Sequence, residues 1–187
     1  TPGSRVIAAT IIDEFDRTGR RTDYDYSGIS MKAAKLIERE LTIRVFRPWR
    51  DMIRMSHGKD RLSTIREQIE QGMPDRTEKN LIDWVDKRTK LELGAMRFCL
   101  KEIRELGSNT PMRKLLGDYL KTLPGGAWLI SPEFESALQD ISTKYRNGGV
   151  HEHLVSYDVC SEAVERVLLG PEPLLKRLVE SSGESRG

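Results

Sequence analysis

Arg146, Asn147 and His151 stand close together in the chain, and their side chains could cleave a phosphodiester bond. On a helix, Asn147 and His151 lie one turn apart on one face, and the long side chain of Arg146 can reach round to it. Histidine gives or takes a proton near neutral pH, and arginine matches phosphate oxygens in a forked geometry. The three residues are a minimal set for cutting RNA without a metal, with the 2′-hydroxyl of the RNA as the nucleophile.

The spacing of Arg146 and His151 is a weak signal by itself, because arginine is abundant in this chain. His151 alone among the three histidines has an arginine five residues before it. Asn147 and the position between two helical patterns add weight. The alternative is structural: Arg146 is a surface residue, and His151 is a satisfied, partly buried histidine.

Two predicted helices must position this trio. Ser131, Pro132 and Glu133 predict a helix start, with a hydroxyl N-cap, proline at the first position and an acid for the helix dipole. Gly148 and Gly149 loosen the backbone between the helices. The apolar face that leads in comprises Phe134, Leu138, Ile141 and Tyr145, and the one that leads out comprises Val155, Val159, Ala163, Val164, Val167 and Leu168.

The stretch from Arg146 to His151 resembles the R-φ-x-x-x-H motif of the HEPN domains, in which φ is a polar residue, often asparagine. Residues 89–96 are similar to the LGxM/L segment of a central helix in that family, and residues 31–41 are a softer match to an early helix. The resemblance spans roughly residues 30–170, and only the Arg–His motif is specific. Two glycines stand inside the motif, where an alanine just before the histidine is usual.

The resemblance implies a metal-independent endoribonuclease, or an inactive relative, that forms a homodimer with the two motifs facing each other. His151 would be the general acid or base, Arg146 would bind the scissile phosphate, and Asn147 would orient one of them. Tyr145 and Glu152 are further candidates for supporting roles. Family members often act as toxin–antitoxin or antiviral effectors, alongside a sensor, antitoxin or activating domain. The other hypothesis is a non-catalytic helical dimerisation or interaction module of a larger protein.

Composition limits the class of protein. The chain has 187 residues, 32% charged and 37% hydrophobic, with a net charge of +2, so RNA contacts must come from local patches. We find no alternating strand pattern, so we expect an all-α bundle of about six to eight helices over residues 1–180, HEPN-like, with a disordered tail over 181–187. Cys99 and Cys160 are expected to be reduced and buried. No membrane-length apolar run and no signal peptide is visible, so we expect a cytoplasmic protein. The first residue is not Met, so this protein could be a domain excised from a longer chain.

Other chemistry finds little support. His151 and His153 are two apart, so on a helix they diverge by roughly 200° and cannot easily share an ion. HExxH, Walker A, GxGxxG and GxSxG motifs are absent. We therefore expect neither a metal nor a cofactor.

Two further stretches could contact RNA. Residues 17–28 combine arginines and tyrosines, and form either an RNA-contacting loop or a solvated linker. A second run of arginines is either a phosphate-tracking stripe or a mixed surface face, because acids are interleaved with it. These arginines are Arg39, Arg44, Arg47, Arg50 and Arg54.

Local signals also predict helix ends. Ser4 and Ser30 are expected caps, Gly19 an expected end, and Pro48 an expected kink or end. The longest helix is expected over residues 76–106, with Thr89 on its buried stripe and Gly94 allowing a neighbouring helix to approach. Shorter helices are expected over residues 60–71, after Thr110 and over residues 171–180.

Overall fold

A computed structural model describes residues 1–72, 75–107, 109–146 and 154–183, without the side chains of Lys59 and Arg146. Every regular element in these ranges is helical, which confirms the all-α class. The helices are α1 (Pro2–Thr18), α2 (Ser27–Leu41), α3 (Arg47–Gln71), α4 (Arg76–Lys87), α5 (Leu93–Leu106), α6 (Pro111–Lys121), α7 (Gly126–Leu129), α8 (Pro132–Asp140), α9 (Tyr157–Val164) and α10 (Leu174–Ser181). Three π-helical turns continue helices: Thr42–Phe46 joins α2 to α3, Ile141–Arg146 extends α8, and Glu165–Leu169 extends α9.

Helix α2 is the central helix of the bundle. Its buried residues form one broad face, whereas Lys32, Lys35 and Arg39 on the opposite side are exposed. It packs against α1, α9, α10 and the π-helical turn Ile141–Arg146. The buried apolar residues of α2 are Ile29, Ala33, Ala34, Leu36, Ile37 and Leu41.

The first two helix starts differ from the prediction, although Gly19 does end α1. Thr1, not Ser4, caps α1 and accepts a hydrogen bond from the Ser4 amide at 3.3 Å. The Ser4 hydroxyl is instead buried and donates to the carboxylate of Glu40, which is 1% exposed and needs such donors. Helix α2 begins before Ser30, which lies buried within it.

The predicted helix over residues 76–106 is two helices, α4 and α5. Arg88 adopts a left-handed backbone conformation, with φ 54°, and ends α4. Thr89 is exposed rather than buried, while Leu91 in the connection and Leu93, the first residue of α5, are buried. No neighbouring helix approaches closely at Gly94, because the space that a Cβ atom would occupy there has no neighbouring group within 4 Å.

Two other predicted helix starts agree with the structure. Ser131 caps α8 as predicted, accepting from the Phe134 amide at 3.1 Å, and α6 starts directly after Thr110. The helix end predicted at Pro48 does not occur, because the chain stays helical from α2 through the π-helical turn Thr42–Phe46 into α3, whose first turn contains Pro48. Helix α10 docks on α2 and α7, and buries Ser181 of the predicted tail, whose residues 184–187 lie outside the described part.

The helix predicted over residues 60–71 is the second half of α3, whose direction changes at Gly58 (φ 65°). Both cysteines are free and buried, as expected. Burial, above all, raises the pKa of the Cys99 thiol far above its ordinary value, so this thiol is inert as a nucleophile.

Candidate active site

The predicted trio lies where α8 gives way to α9. Arg146 is the last residue of the π-helical turn Ile141–Arg146, and its side chain is outside the described part. Asn147 and His151 also lie outside the described residues, as do Glu152 and His153. We call residues 147–153 the motif segment. The described structure gives the contacts that hold its two ends.

The upstream end is held by Tyr145. Its ring is 1% exposed, and its hydroxyl donates to Oε1 of Glu162 in α9 at 2.9 Å. Burial, followed by the neighbouring carboxylate of Glu162, raises the pKa of Tyr145 to about 12. The same hydrogen bond lowers the pKa of Glu162. At neutral pH the tyrosine is therefore a neutral donor to an ionised acceptor, which is a strong form of hydrogen bond.

A second link joins the end of α8 to the π-helical turn Glu165–Leu169. Arg166 in the turn Glu165–Leu169 contacts Oδ2 of Asp140 at 2.6 Å, and both side chains are partly buried. Asp140 is the last residue of α8, directly before the turn that carries Arg146. A π-helical turn inserts an extra residue into a helix and rotates the residues after it, and such turns are frequent at functional sites. This ion pair holds the residue directly before the turn Ile141–Arg146.

The downstream end is held by Val155. Its amide donates to Oδ1 of Asp25 at 3.1 Å, and its carbonyl accepts from the Tyr26 amide at 3.1 Å. Asp25 also accepts from the Ser27 amide at the start of α2. That hydrogen bond from Ser27 is the largest cause that lowers the pKa of Asp25, and the one from Val155 adds to it. One carboxylate thus joins two backbone segments that are far apart in sequence.

The connection before α2 is largely exposed, and Tyr26 anchors it to the bundle. Tyr26 is fully buried, accepts from the Arg21 amide at 2.9 Å and donates to the Gly19 carbonyl. Its ring meets that of Tyr157 at 5.6 Å, at the first position of α9. This connection therefore packs against the chain that leaves the motif segment.

Cations remain exposed around this packed contact. Arg20 has a side chain that is 72% exposed, lies over the Tyr157 ring at 5.6 Å and reaches Asp158 at 3.3 Å. On the other side of the motif segment, Lys144 is half exposed and contacts Glu162 at 3.2 Å. Each cation is matched by an acid, so the described rim of the site is charged but balanced.

Sequence reasoning named Tyr145 but missed Asp25, Tyr26, Glu162 and the link from Arg166 to Asp140. An aspartate two residues before a serine at a helix start is a local signal for Asp25. Nothing local could have paired Tyr145 with Glu162 or Asp25 with Val155, because the residues of each pair belong to different elements.

We expect replacement of Asp25 by alanine to loosen the downstream end of the motif segment. The Val155 amide loses its acceptor, so its hydrogen exchange should accelerate by about tenfold, the equivalent of one modest hydrogen bond. The folded-state pKa of Asp25 is depressed, so the protection that it provides is complete above its ordinary pKa of 3.8 and is lost as the pH falls through the lower value. Amide exchange measured by NMR across acidic pH checks both expectations.

The matched control is Asp23→Ala. Asp23 belongs to the same connection, but its carboxylate pairs with the exposed Arg21 side chain at 3.0 Å. Exchange at Val155 should be unchanged in this variant. Equal acceleration in both variants, or none in Asp25→Ala, would contradict the anchoring role of Asp25.

Within the described ranges, no three histidine, cysteine, aspartate or glutamate side chains are grouped so as to hold a metal ion. No described helix is both long enough and apolar enough to cross a bilayer. Comparison with protein-family models, with curated proteins and with solved structures finds no match to this chain. The candidate site is therefore defined by its own residues: a motif that could cleave RNA, in a segment whose two ends are tied to the bundle.

Proposed function

We propose that this chain is a metal-independent endoribonuclease that acts as a homodimer. The observation that carries the proposal is the Arg146–Asn147–His151 motif at a junction whose flanks are both fixed, by Tyr145 to Glu162 and by Val155 to Asp25. Fixed flanks support catalysis, because holding groups in a productive geometry lowers the barrier to reaction. A role as a toxin or antiviral effector, controlled by a sensor, antitoxin or activating domain, belongs to the same proposal.

The proposed reaction is an internal transfer within the RNA. The 2′-oxygen attacks the adjacent phosphorus, and the bond from phosphorus to the 5′-oxygen of the next nucleotide breaks. His151 takes the proton of the 2′-hydroxyl or supplies one to the leaving 5′-oxygen, and the facing motif of a second copy can perform the other transfer. Arg146 binds the phosphate and stabilises its developing charge, and Asn147 orients the histidine or the phosphate. The products end in a 2′,3′-cyclic phosphate and a 5′-hydroxyl.

The test is incubation of mixed RNA with the native protein in excess EDTA, followed by analysis of the new ends. We expect fragments with 2′,3′-cyclic phosphate and 5′-hydroxyl ends, formed at the same rate with and without EDTA. Cleavage that stops in EDTA, or that leaves 5′-phosphate ends, would overturn the proposed chemistry, because an internal 2′-hydroxyl attack cannot produce such ends.

A second candidate function is a non-catalytic dimerisation module. It is favoured by Leu154, which is 71% exposed directly beside the motif segment and would suit a contact between copies. Sedimentation of the native and Arg146→Ala proteins separates the two functions. A dimer that depends on Arg146, from a protein that cuts no RNA, supports the module, whereas cleavage by the native protein excludes it.

A further inference from the structure

A groove of about 340 Å³ runs along the outer side of α2 and the π-helical turn Thr42–Phe46, and the loop after α4 closes one side. We call it the basic groove. Its charged lining comprises Lys35, Glu38, Arg39, Arg47 and Lys90. Four cations thus face one carboxylate, so this one groove carries a formal charge of +3, whereas the whole chain carries +2.

The π-helical turn explains why these cations share one groove. Lys35, Arg39 and Arg47 stand at multiples of four residues, and on a regular α-helix each step of four overshoots a full turn by about 40°. A π-helical turn holds more residues than an α-helical turn, so it offsets that drift between Arg39 and Arg47. Lys35 and Arg39 lie about 6 Å apart along the helix axis, and Arg47 follows eight residues later. The result is a row of cations rather than a spiral.

The three cations of this row are not engaged in ion pairs among the described residues. Glu38, the acid of the groove, contacts Lys90 at 3.4 Å and accepts from the Leu93 amide at 3.4 Å. Lys35, Arg39 and Arg47 are exposed, and no carboxylate of a described residue forms an ion pair with any of the three.

Neighbouring arginines are engaged elsewhere. Arg44 pairs with the buried Glu40, and Arg54 donates to the carbonyl oxygen of Val85 at 3.0 Å. Arg50 pairs with Asp51 at 2.9 Å and lies over the Trp84 ring. The structure thus separates two available arginines, Arg39 and Arg47, from three that hold the fold.

We propose that the basic groove binds the phosphate backbone of single-stranded RNA, outside the active site. The groove is open and its cations are exposed, which suits a chain of phosphates better than an enclosed small molecule. The ligand class rests on the proposed ribonuclease function, since attack by a 2′-oxygen in line with the leaving oxygen needs a flexible single strand. Helix α2 also links the two places, because it begins beside Val155 and reaches Lys35 about 12 Å further along its axis.

The test measures RNA binding without cleavage. The charge-reversal variant Lys35→Glu/Arg39→Glu/Arg47→Glu is made in a His151→Ala background, and binding of a fluorescein-labelled oligouridylate is followed by anisotropy over a series of salt concentrations. The matched control replaces three exposed cations on α3 and α4, outside the groove, by glutamate. These are Arg61, Arg76 and Lys79. Both variants change the net charge equally. Circular dichroism confirms that each remains folded.

We expect the groove variant to bind at least about tenfold more weakly at low salt, and the control to bind nearly as the parent does. The plot of log affinity against log salt should become less steep by about 2, because each lost phosphate contact on a single strand removes about 0.7. Equal weakening in both variants, or unchanged binding in the groove variant, would overturn the proposal. The result is independent of the cleavage test, because the groove substitutions can weaken RNA binding even in a protein that does not cleave RNA.

Discussion

Replacement of His151 by alanine is expected to lower the rate of RNA cleavage in EDTA by about 10²- to 10⁴-fold, the usual contribution of a general acid or base. The two carboxylates that hold the flanks of the motif segment are already engaged: Glu162 contacts Tyr145 and Lys144, and Asp25 accepts from Val155 and Ser27. The measurement is single-turnover cleavage of a labelled RNA by equal amounts of native and variant protein.

His153→Ala is the matched control, because it removes the same side chain two residues along the same segment. Its rate should stay close to that of the native protein. Arg146→Lys is a second comparison: it keeps the charge but loses the forked geometry, so an intermediate loss of rate is expected. Undiminished cutting by His151→Ala, or an equal loss in His153→Ala, would contradict the role assigned to His151.

Replacement of Glu78 by alanine is expected to lower the free energy of unfolding by about 3–5 kcal/mol. Glu78 is 2% exposed and joins α4 to the start of α6. Its carboxylate accepts from the amides of Met112 and Arg113, each at 2.9 Å, and from the hydroxyl of Thr110. Alanine leaves these donors buried without an acceptor and removes an anion from the positive end of a helix dipole. The measurement is urea unfolding followed by circular dichroism.

Two comparisons isolate the cause. Glu180→Ala removes an exposed carboxylate from α10, where its contact with Lys176 is 3.9 Å, so a change below about 1 kcal/mol is expected. Glu78→Gln keeps an acceptor oxygen and should recover part of the loss. If Glu78→Ala proved no more destabilising than Glu180→Ala, the buried carboxylate would not be an organising contact of the fold.

Helix starts set by a side chain and its near neighbours could be predicted, and the start of α8 at Ser131 is the clearest case. The break between α4 and α5 could not, because the apolar repeat continues across it while the backbone turns at Arg88. Periodicity reports which residues will be buried, but not whether they belong to one helix or two. Ser4 and Ser30 failed as caps for a related reason, since both lie buried inside helices.

The candidate site divides in the same way. Arg146, Asn147 and His151 were found from residue type and spacing, and their roles stay predictions. The supports around them depend on contacts between distant residues, such as Tyr145 with Glu162 and Asp25 with Val155. No sequence motif could identify either pair, because the two residues of each pair belong to separate elements and have no characteristic spacing.

The sequence by itself determined the all-α class and several helix ends, and it predicted the residues that could cut RNA, since these depend on side-chain chemistry and on short-range backbone geometry. Only the tertiary structure decided which charges are available. Arg44 and Arg54 form contacts within the bundle, whereas Arg39 and Arg47 line an open groove. The physical reason is that an ion pair requires two groups within a few ångströms, and the packing of helices that are far apart in sequence sets that distance.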